Sequence, residues 1–152
     1  MRTSHRLVMH ALARRAGFTL VEMLSVVALL LILVVMAIPR YSALRDRLAV
    51  DGAASGVVRI LVDARASAIR LGARAAVAID TQAAVMVVHH RTDTVSRMRL
   101  NDLFGVGLQS SRDSLAYAAT GLGFGASNAR IIVVRGAAAE TVSVSRTGRV
   151  RR

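Results

Sequence analysis

The C-terminal end of the chain concentrates positive charge. Arg146, Arg149, Arg151 and Arg152 lie within seven residues, and no acidic residue separates them. In an extended strand, Arg149 and Arg151 project from one face while Val150 points to the other. Because guanidinium groups bind phosphate oxygens in a planar, bidentate geometry, such a pair can grip successive phosphates. The segment indicates an anion-binding strand, and the residues leave open a solvated basic tail or a purely structural closing strand.

A single acidic residue interrupts a long apolar segment near the N-terminus. Residues 18–38 are apolar except for Thr19, Glu22 and Ser25. As a helix this segment would be about 31 Å long, which matches the hydrocarbon thickness of a bilayer. A carboxylate inside a membrane helix costs about 2.5–3.5 kcal/mol and usually has a specific partner. Glu22 is therefore a candidate for a functional contact.

Basic residues precede the apolar segment. The arginines before Gly17 have no acid among them and predict a cytoplasmic N-terminus for a single-pass membrane protein. A secretory signal peptide would have a shorter apolar core, and Ala37-Ile38-Pro39 is a poor cleavage site. A plain signal anchor accounts for the charge and the length but leaves Glu22 unexplained.

Residue types that catalyse reactions or bind metals are sparse and badly spaced. His89 and His90 are adjacent in a predicted strand, so they point to opposite faces and cannot share a ligand. The Asp residues lack metal-ligand spacing, and there is no Cys for a thiolate site or a disulfide. The sequence predicts a protein that is not an enzyme and has no cofactor and no metal site.

The composition limits the fold and the partners. A chain of 152 residues forms one modest domain, and aromatic residues make up only 3% of it, so the core must be aliphatic. All 21 residues counted as Lys or Arg are Arg, and the formal net charge is +12. This balance favours anionic partners such as nucleic acid or lipid headgroups.

The hydrophobic periodicity changes once along the chain. Three- and four-residue spacing predicts an amphipathic helix over 40–72, with Gly72 as its C-cap. Alternation then predicts an antiparallel β-domain, and the fold class is α+β, with a long N-terminal helix packed on that domain. The predicted strands are Ala75–Asp80, Ala83–His90, Val95–Leu100, Leu103–Leu108, Leu115–Ala118, Arg130–Arg135, Thr141–Ser145 and Arg149–Arg151.

Residues 17–22 (Gly-Phe-Thr-Leu-Val-Glu) with the basic flank and the apolar run resemble the leader junction of type IV prepilins and type II secretion pseudopilins. The resemblance implies that a membrane aspartyl peptidase, the prepilin peptidase, cleaves after Gly17 and methylates the new terminal amine of Phe18. It also implies that Glu22 pairs with the terminal amine of a neighbouring subunit. Pro39 stands where many family members have proline, and we expect it to kink or locally melt the helix.

Two further stretches resemble the GspH/FimT-type minor pilins: residues 64–68 (Ala-Arg-Ala-Ser-Ala) and the ending 142–151. This branch implies a minor pilin or pseudopilin that primes or caps a filament. The alternatives are a type II secretion pseudopilin at the pseudopilus tip, or a subunit that binds DNA for uptake. In DNA-uptake members a Gly-Arg-x-Arg motif is implicated in DNA binding, and residues 148–151 match it.

The resemblance also implies an organisation and a location. Residues 1–17 would be the cleaved leader, 18–39 the transmembrane and filament-core helix, 40–72 its amphipathic continuation, and 73–152 the globular β-domain. The chain would sit in the inner membrane with its C-terminal domain in the periplasm before joining a pilus or pseudopilus. Its expected partners are the prepilin peptidase, other pilin or pseudopilin subunits and, for an uptake subunit, DNA.

Overall fold

A computed structural model describes residues 17–91, 93–125 and 128–152. The chain divides into two compact units, of which the first ends at Ile38 and the second is Pro39–Arg152. Helix α1, Leu20–Arg70, contributes to both. Within the first unit, every residue from 17 to 38 is exposed. This part of α1 contains a window of mean hydropathy 2.9, so it is long and apolar enough to cross a membrane.

Helix α1 continues through Pro39, with helical residues on both sides. The hydroxyl of Ser42 donates a hydrogen bond to the Pro39 carbonyl oxygen over 3.0 Å. Proline lacks a backbone N–H, so only one donor is lost at this position. The expected local melting at Pro39 is therefore wrong for this structure.

Helix α1 ends with a Schellman motif at Gly72. The Ala73 N–H donates to the Ala68 carbonyl oxygen over 3.2 Å, and the Gly72 N–H donates to that of Ile69 over 3.2 Å. Gly72 has φ +59°, a left-handed conformation that glycine adopts without steric cost. The predicted C-cap is confirmed, and the chain leaves the helix at this point to enter the β-domain.

The β-domain consists of two antiparallel sheets. The first has the strand order β3-β2-β1-β5-β6, and the second has the order β4-β7-β8-β9. The elements after α1 are β1 Ala75–Asp80, β2 Val85–His90, β3 Asp93–Arg99, α2 Leu100–Phe104, β4 Gly107–Ser110, β5 Ser114–Tyr117, β6 Gly123–Phe124, β7 Ala129–Arg135, β8 Ala138–Val144 and β9 Val150–Arg151. The predicted α+β class is confirmed.

The core of the second unit joins one face of α1 to the inner faces of both sheets. Alternating strand residues such as Val77 in β1 and Ile131 in β7 are fully buried with Leu61 of the helix. Tyr117 is the largest fully buried side chain among the described residues. The rest of this core is aliphatic, in agreement with the composition.

Two glycines let α1 approach its neighbours closely. A Cβ at Gly52 would lie 3.0 Å from Cε1 of Phe104, and a Cβ at Gly56 would lie 3.0 Å from Sδ of Met98. Glycine destabilises a helix interior relative to alanine, but without a side chain these two positions leave room for the side chains of Phe104 and Met98. The glycines therefore set the distance between α1 and the segment β3–α2.

The structure differs from the sequence prediction between residues 100 and 108. Leu103–Leu108 was predicted to be a strand, yet Leu103 and Phe104 end the short helix α2, and β4 begins only at Gly107. Gly105, with φ +62°, caps α2, and its N–H donates to the Asn101 carbonyl oxygen over 2.7 Å. An apolar run this short does not distinguish one helical turn from a strand.

Candidate functional site

The first turn of α1 holds Glu22 in a reciprocal capping arrangement with Thr19. The Glu22 N–H donates to Thr19 Oγ1 over 3.2 Å, and the Thr19 N–H donates to Glu22 Oε2 over 3.4 Å. Such a capping box satisfies two backbone donors that the helix itself leaves unpaired. The carboxylate also lies at the positive end of the helix dipole. The sequence around Glu22 thus starts the helix and holds the one acid of the apolar segment 18–38 at the helix N-terminus.

Gly17 and Phe18 directly precede this helix. A Cβ at Gly17 would have no heavy atom within 4 Å, and the backbone there lies outside the left-handed region. Phe18 is 76% exposed. Among the described residues, no contact therefore demands glycine at position 17. The basic leader residues 1–16, with His5 and His10, lie outside the described residues.

The second sheet carries a row of polar residues on its outer face. Arg130 in β7 pairs with Ser143 in β8, and Ser143 pairs in turn with Arg151 in β9. Residues directly opposite one another in antiparallel strands share a face of the sheet. All three are exposed, whereas Ile131 and Val142 beside them point into the core. Two arginines thus flank one serine across three neighbouring strands.

Two open depressions meet along this row. One, of 380 Å³, is lined by residues of the β4–β5 turn, β7 and β8, including Ser111, Arg130 and Ser143. The other, of 420 Å³, is lined by residues of β8 and the C-terminal segment, including Ser143, Arg149 and Arg151. Neither lining contains an acidic residue. The part of the outer face around these two depressions is therefore a basic, hydroxyl-rich surface.

Gly148 joins the C-terminal turn to the first sheet. It is buried and has φ +77°, and a Cβ there would lie 3.0 Å from the Gly121 carbonyl oxygen and 3.1 Å from Cε1 of Tyr117. The two arginines that follow, Arg149 and Arg151, are exposed. Residues 148–151 therefore divide into a structural glycine and two arginines that face solvent.

Arg152 is exposed, and its side chain is anchored to α1 and β8. Its Nε donates to Glu140 Oε1 over 3.1 Å, its Nη1 donates to Ser55 Oγ over 3.1 Å, and its Nη2 contacts Asp51 Oδ1. These contacts tie the end of the chain to α1 and β8. Of the four arginines predicted to contact DNA, Arg152 is thus already paired, because its guanidinium is engaged by two carboxylates. Arg146 is exposed in the turn between β8 and β9.

The histidines lie on different faces, as predicted. His90 pairs with Ala75, which is buried, and His90 Nδ1 is itself buried with no hydrogen-bond partner among the described residues. His89 Nδ1 lies 3.5 Å from Thr94 Oγ1 on the other side of the sheet. Within the described ranges, no group of three His, Cys, Asp or Glu residues is placed to hold a metal ion.

Sequence reasoning missed Arg130. It lies 21 positions before Arg151 in the chain, and only the strand register brings the two onto one face. The available signal was its position at the start of the predicted strand Arg130–Arg135, directly before an apolar run, and this alone identifies no partner.

Comparison with known proteins gives one family match and three similar structures. The prokaryotic N-terminal methylation motif matches residues 12–38. The type IV minor pilin FimU of Pseudomonas aeruginosa is similar in fold in two crystal forms. One has a TM-score of 0.57 and 13% identity, with 69% of this chain and 88% of that chain covered. The other has a TM-score of 0.57 and 12% identity, with 66% and 90% covered.

The minor pseudopilin EpsH from the type 2 secretion system of Vibrio cholerae is also similar. Its TM-score is 0.53 at 14% identity, with 67% of this chain and 94% of that chain covered. No curated protein sequence matches this chain. At these identities the likeness concerns the fold, and the motif concerns the N-terminal segment.

Proposed function

We propose that this chain is a structural subunit that primes or caps a type IV pilus-like filament. It combines the N-terminal methylation motif of prokaryotic pilins with a fold similar to that of a minor pilin and a minor pseudopilin. The apolar helix and the motif together indicate anchoring in a membrane before assembly. The observation that carries the proposal is the position of Glu22, the one acid of the apolar segment 18–38, in the first turn of α1, where every residue up to Ile38 is exposed.

Processing after Gly17 is the first step of this proposal. Because a Cβ at Gly17 would meet no heavy atom of the described residues within 4 Å, we attribute the glycine to recognition outside the chain, in the active site of a prepilin peptidase. Cleavage there frees the α-amine of Phe18 for methylation. The expected orientation places residues 1–17 in the cytoplasm and the β-domain in the periplasm. Mass spectrometry of the membrane-extracted chain is expected to find methylated Phe18 as the first residue.

Glu22 performs the second step, docking onto the neighbouring subunit. A carboxylate in lipid is stabilised by a cationic partner, and the Phe18 amine of an adjacent subunit is such a partner. The contact is head-to-tail, so it propagates a helical filament instead of closing a dimer. Pro39 lies at the start of the second unit, and we propose that it lets the helix adapt where the packed filament core ends.

The test compares Glu22→Gln with Glu22→Ala. Glutamine also supports a capping box, so Glu22→Gln retains the helix start and removes only the charge. We expect both variants to be cleaved normally and both to be missing from the sheared filament fraction, as measured by immunoblot. Normal incorporation of Glu22→Gln would refute the role of the charge, and failure of Glu22→Ala alone would reduce Glu22 to a helix cap.

The similar structures leave two systems for such a filament, a type IV pilus and a type II secretion pseudopilus. A second candidate function, DNA capture by a pilus subunit, is favoured by the exposed pair Arg149 and Arg151 behind the buried Gly148. It predicts electrostatic binding with little sequence preference. Loss of filaments in the Glu22 variants leaves DNA binding by the β-domain intact, so the two functions are tested separately.

A further inference from the structure

We propose that the outer face of the second sheet binds a nucleic-acid backbone, with Arg130 of β7 contributing as much as Arg151 of β9. This inference rests on the DNA-capture function proposed above and extends its site from the C-terminal segment across three strands. The row Arg130–Ser143–Arg151 is called here the arginine row. Arg152 is excluded from it because its guanidinium is engaged with Asp51 and Glu140.

The strand register gives the arginine row its spacing. Neighbouring strands lie about 4.8 Å apart, so the backbones of Arg130 and Arg151 are separated by about 10 Å. Ser143 lies between them, and its hydroxyl makes only a long hydrogen bond, of 3.4 Å, to the Arg151 carbonyl oxygen, which it can exchange for a phosphate oxygen. Two cations with a hydrogen-bond donor between them suit a chain of phosphates better than a single anion.

The β4–β5 turn extends the row at the Arg130 end. The Arg130 N–H donates to Ser111 Oγ over 2.9 Å, and the Ser111 N–H donates to the Arg130 carbonyl oxygen over 2.9 Å. In the same turn, Arg112 Nε donates to the Asn128 carbonyl oxygen over 3.1 Å. These bonds hold another serine and another arginine beside Arg130. The surface therefore continues along the same face, from the C-terminal segment beside β9 to the β4–β5 turn at the opposite edge of the sheet.

The charges of the surface require an anionic occupant. Among the described residues, Arg130, Arg149 and Arg151 take part in no ion pair, and the two depressions they line contain no acid. The nonpolar lining residues, Ala129 and Val144, are both buried. Binding to a lipid surface normally combines basic residues with inserted apolar side chains, which the linings of the two depressions lack. A nucleic-acid backbone fits its chemistry better.

The test measures binding of a labelled random-sequence 30-base-pair DNA to the full chain in a neutral detergent, by fluorescence anisotropy at several salt concentrations. Each phosphate contact adds about −0.9 to the log–log salt slope. We expect Arg130→Gln to make the slope less negative by about 1 and to weaken binding roughly five- to tenfold at 0.1 M salt. Arg151→Gln should have a similar effect.

Arg97→Gln is the matched control. Arg97 is exposed on β3, the edge strand of the first sheet, and its substitution removes the same charge. We expect its affinity to stay within about twofold of the unmodified chain, because it touches no phosphate on the second sheet. A second variant, Ser143→Glu, places a carboxylate between the two arginines and should abolish most binding. Circular dichroism confirms that each variant is folded.

The outcomes separate the proposals. Equal affinities for Arg130→Gln and Arg97→Gln, with loss confined to Arg149→Gln and Arg151→Gln, would overturn the arginine row and retain the C-terminal motif. No binding by the unmodified chain would overturn DNA capture itself. Binding to vesicles of phosphatidylglycerol that DNA does not displace would assign the face to lipid and overturn the inference. Competition between DNA and those vesicles for the same arginines, with tighter binding of DNA, supports it.

Discussion

Gly148 lies directly against the buried ring of Tyr117, so that the last turn of the second sheet rests on strand β5 of the first. A Cβ at Gly148 would approach the ring within 3.1 Å and the Gly121 carbonyl oxygen within 3.0 Å. The contact explains why the first position of the Gly-Arg-Val-Arg segment is glycine. Its role is to close the fold, while the arginines behind it remain available to a ligand.

Replacing Gly148 by alanine should destabilise the β-domain severely. Alanine at φ +77° costs about 1–2 kcal/mol in backbone strain, and the contact with Gly121 adds to this. Gly72→Ala is the control, because Gly72 has φ +59° but a Cβ there meets nothing within 4 Å. Urea unfolding of the full chain in a neutral detergent should give a larger loss for Gly148→Ala. Equal losses would mean that the contact is unimportant.

The Tyr117 hydroxyl makes stability sensitive to alkaline pH. Burial raises the pKa of Tyr117 from 10.0 to about 12, against the opposing charge of Arg65. The folded state therefore binds the Tyr117 proton more tightly than the unfolded state does. The stability that this difference in proton binding contributes is present below pH 10 and is lost as the pH rises from 10 towards 12. Unfolding free energies measured between pH 8 and pH 12 should fall over this window.

Tyr117→Phe should remove this loss. The hydroxyl is buried without a hydrogen-bond partner among the described residues, so its removal should leave stability at pH 7 unchanged or raise it by about 1 kcal/mol. Tyr41 remains in the variant and is exposed, so it controls for tyrosine ionisation in solvent. The same decline with pH in both proteins would contradict the assignment to Tyr117.

The two helix glycines should respond differently to alanine. Gly56→Ala should stabilise the domain by about 0.5–1 kcal/mol, because alanine favours the helix and the flexible Met98 side chain can move away. Gly52→Ala meets the rigid ring of Phe104 at 3.0 Å, so overpacking of about 1–3 kcal/mol should exceed the gain. Thermal unfolding of both variants tests this order, and a more stable Gly52→Ala would contradict it.

Two ion pairs connect α1 to the second sheet, and they should differ in strength. Arg135 Nε lies 3.0 Å from Asp46 Oδ1, both side chains are mostly buried, and Arg135 also donates to the Phe104 carbonyl oxygen. Asp51, the partner of Arg152, is 64% exposed. Asp46→Ala should therefore cost about 1–2 kcal/mol, and Asp51→Ala about 0.5 kcal/mol.

Salt distinguishes the two pairs further. Solvent screens the exposed contact of Asp51 more strongly than the half-buried contact of Asp46. The Asp51→Ala effect should vanish at 1 M NaCl, where the Debye length is about 3 Å, while most of the Asp46→Ala effect should remain. Parallel salt dependence in unfolding titrations of the two variants would show that burial does not separate them.

Elements with a clear period could be predicted from the sequence. The bounds predicted for β1 coincide with Ala75–Asp80, and the helix ends beside the predicted cap Gly72. The turn before Val85 is longer than the predicted strand Ala83–His90 implies, because Asp80 Oδ1 accepts hydrogen bonds from the backbone N–H groups of Gln82 and Ala83 and so keeps Ala83 in the turn. Local side-chain hydrogen bonds of this kind leave no trace in the hydrophobic pattern.

Long-range pairing explains the remaining differences at the candidate site. Arg152 follows three other arginines in the C-terminal cluster, yet its partners include Asp51, which lies 101 positions away on α1. Arg130 joins Arg151 only through the register of β7, β8 and β9. Both placements follow from how the second sheet assembles around α1, and neither charge sequence nor local periodicity encodes that assembly.

The capping box at the start of α1 also bears on how a filament grows. Before a neighbour arrives, the Glu22 carboxylate already accepts the Thr19 N–H, through a bond of 3.4 Å that is long and easily broken. Under the proposed function, addition of a subunit is then an exchange of hydrogen-bond partners, in which the Glu22 carboxylate releases the Thr19 N–H of its own chain and binds the Phe18 amine of the neighbouring subunit. An unassembled subunit thus keeps the charge of Glu22 partly satisfied, and the contribution of Glu22 to the driving force per added subunit is the difference between these two contacts.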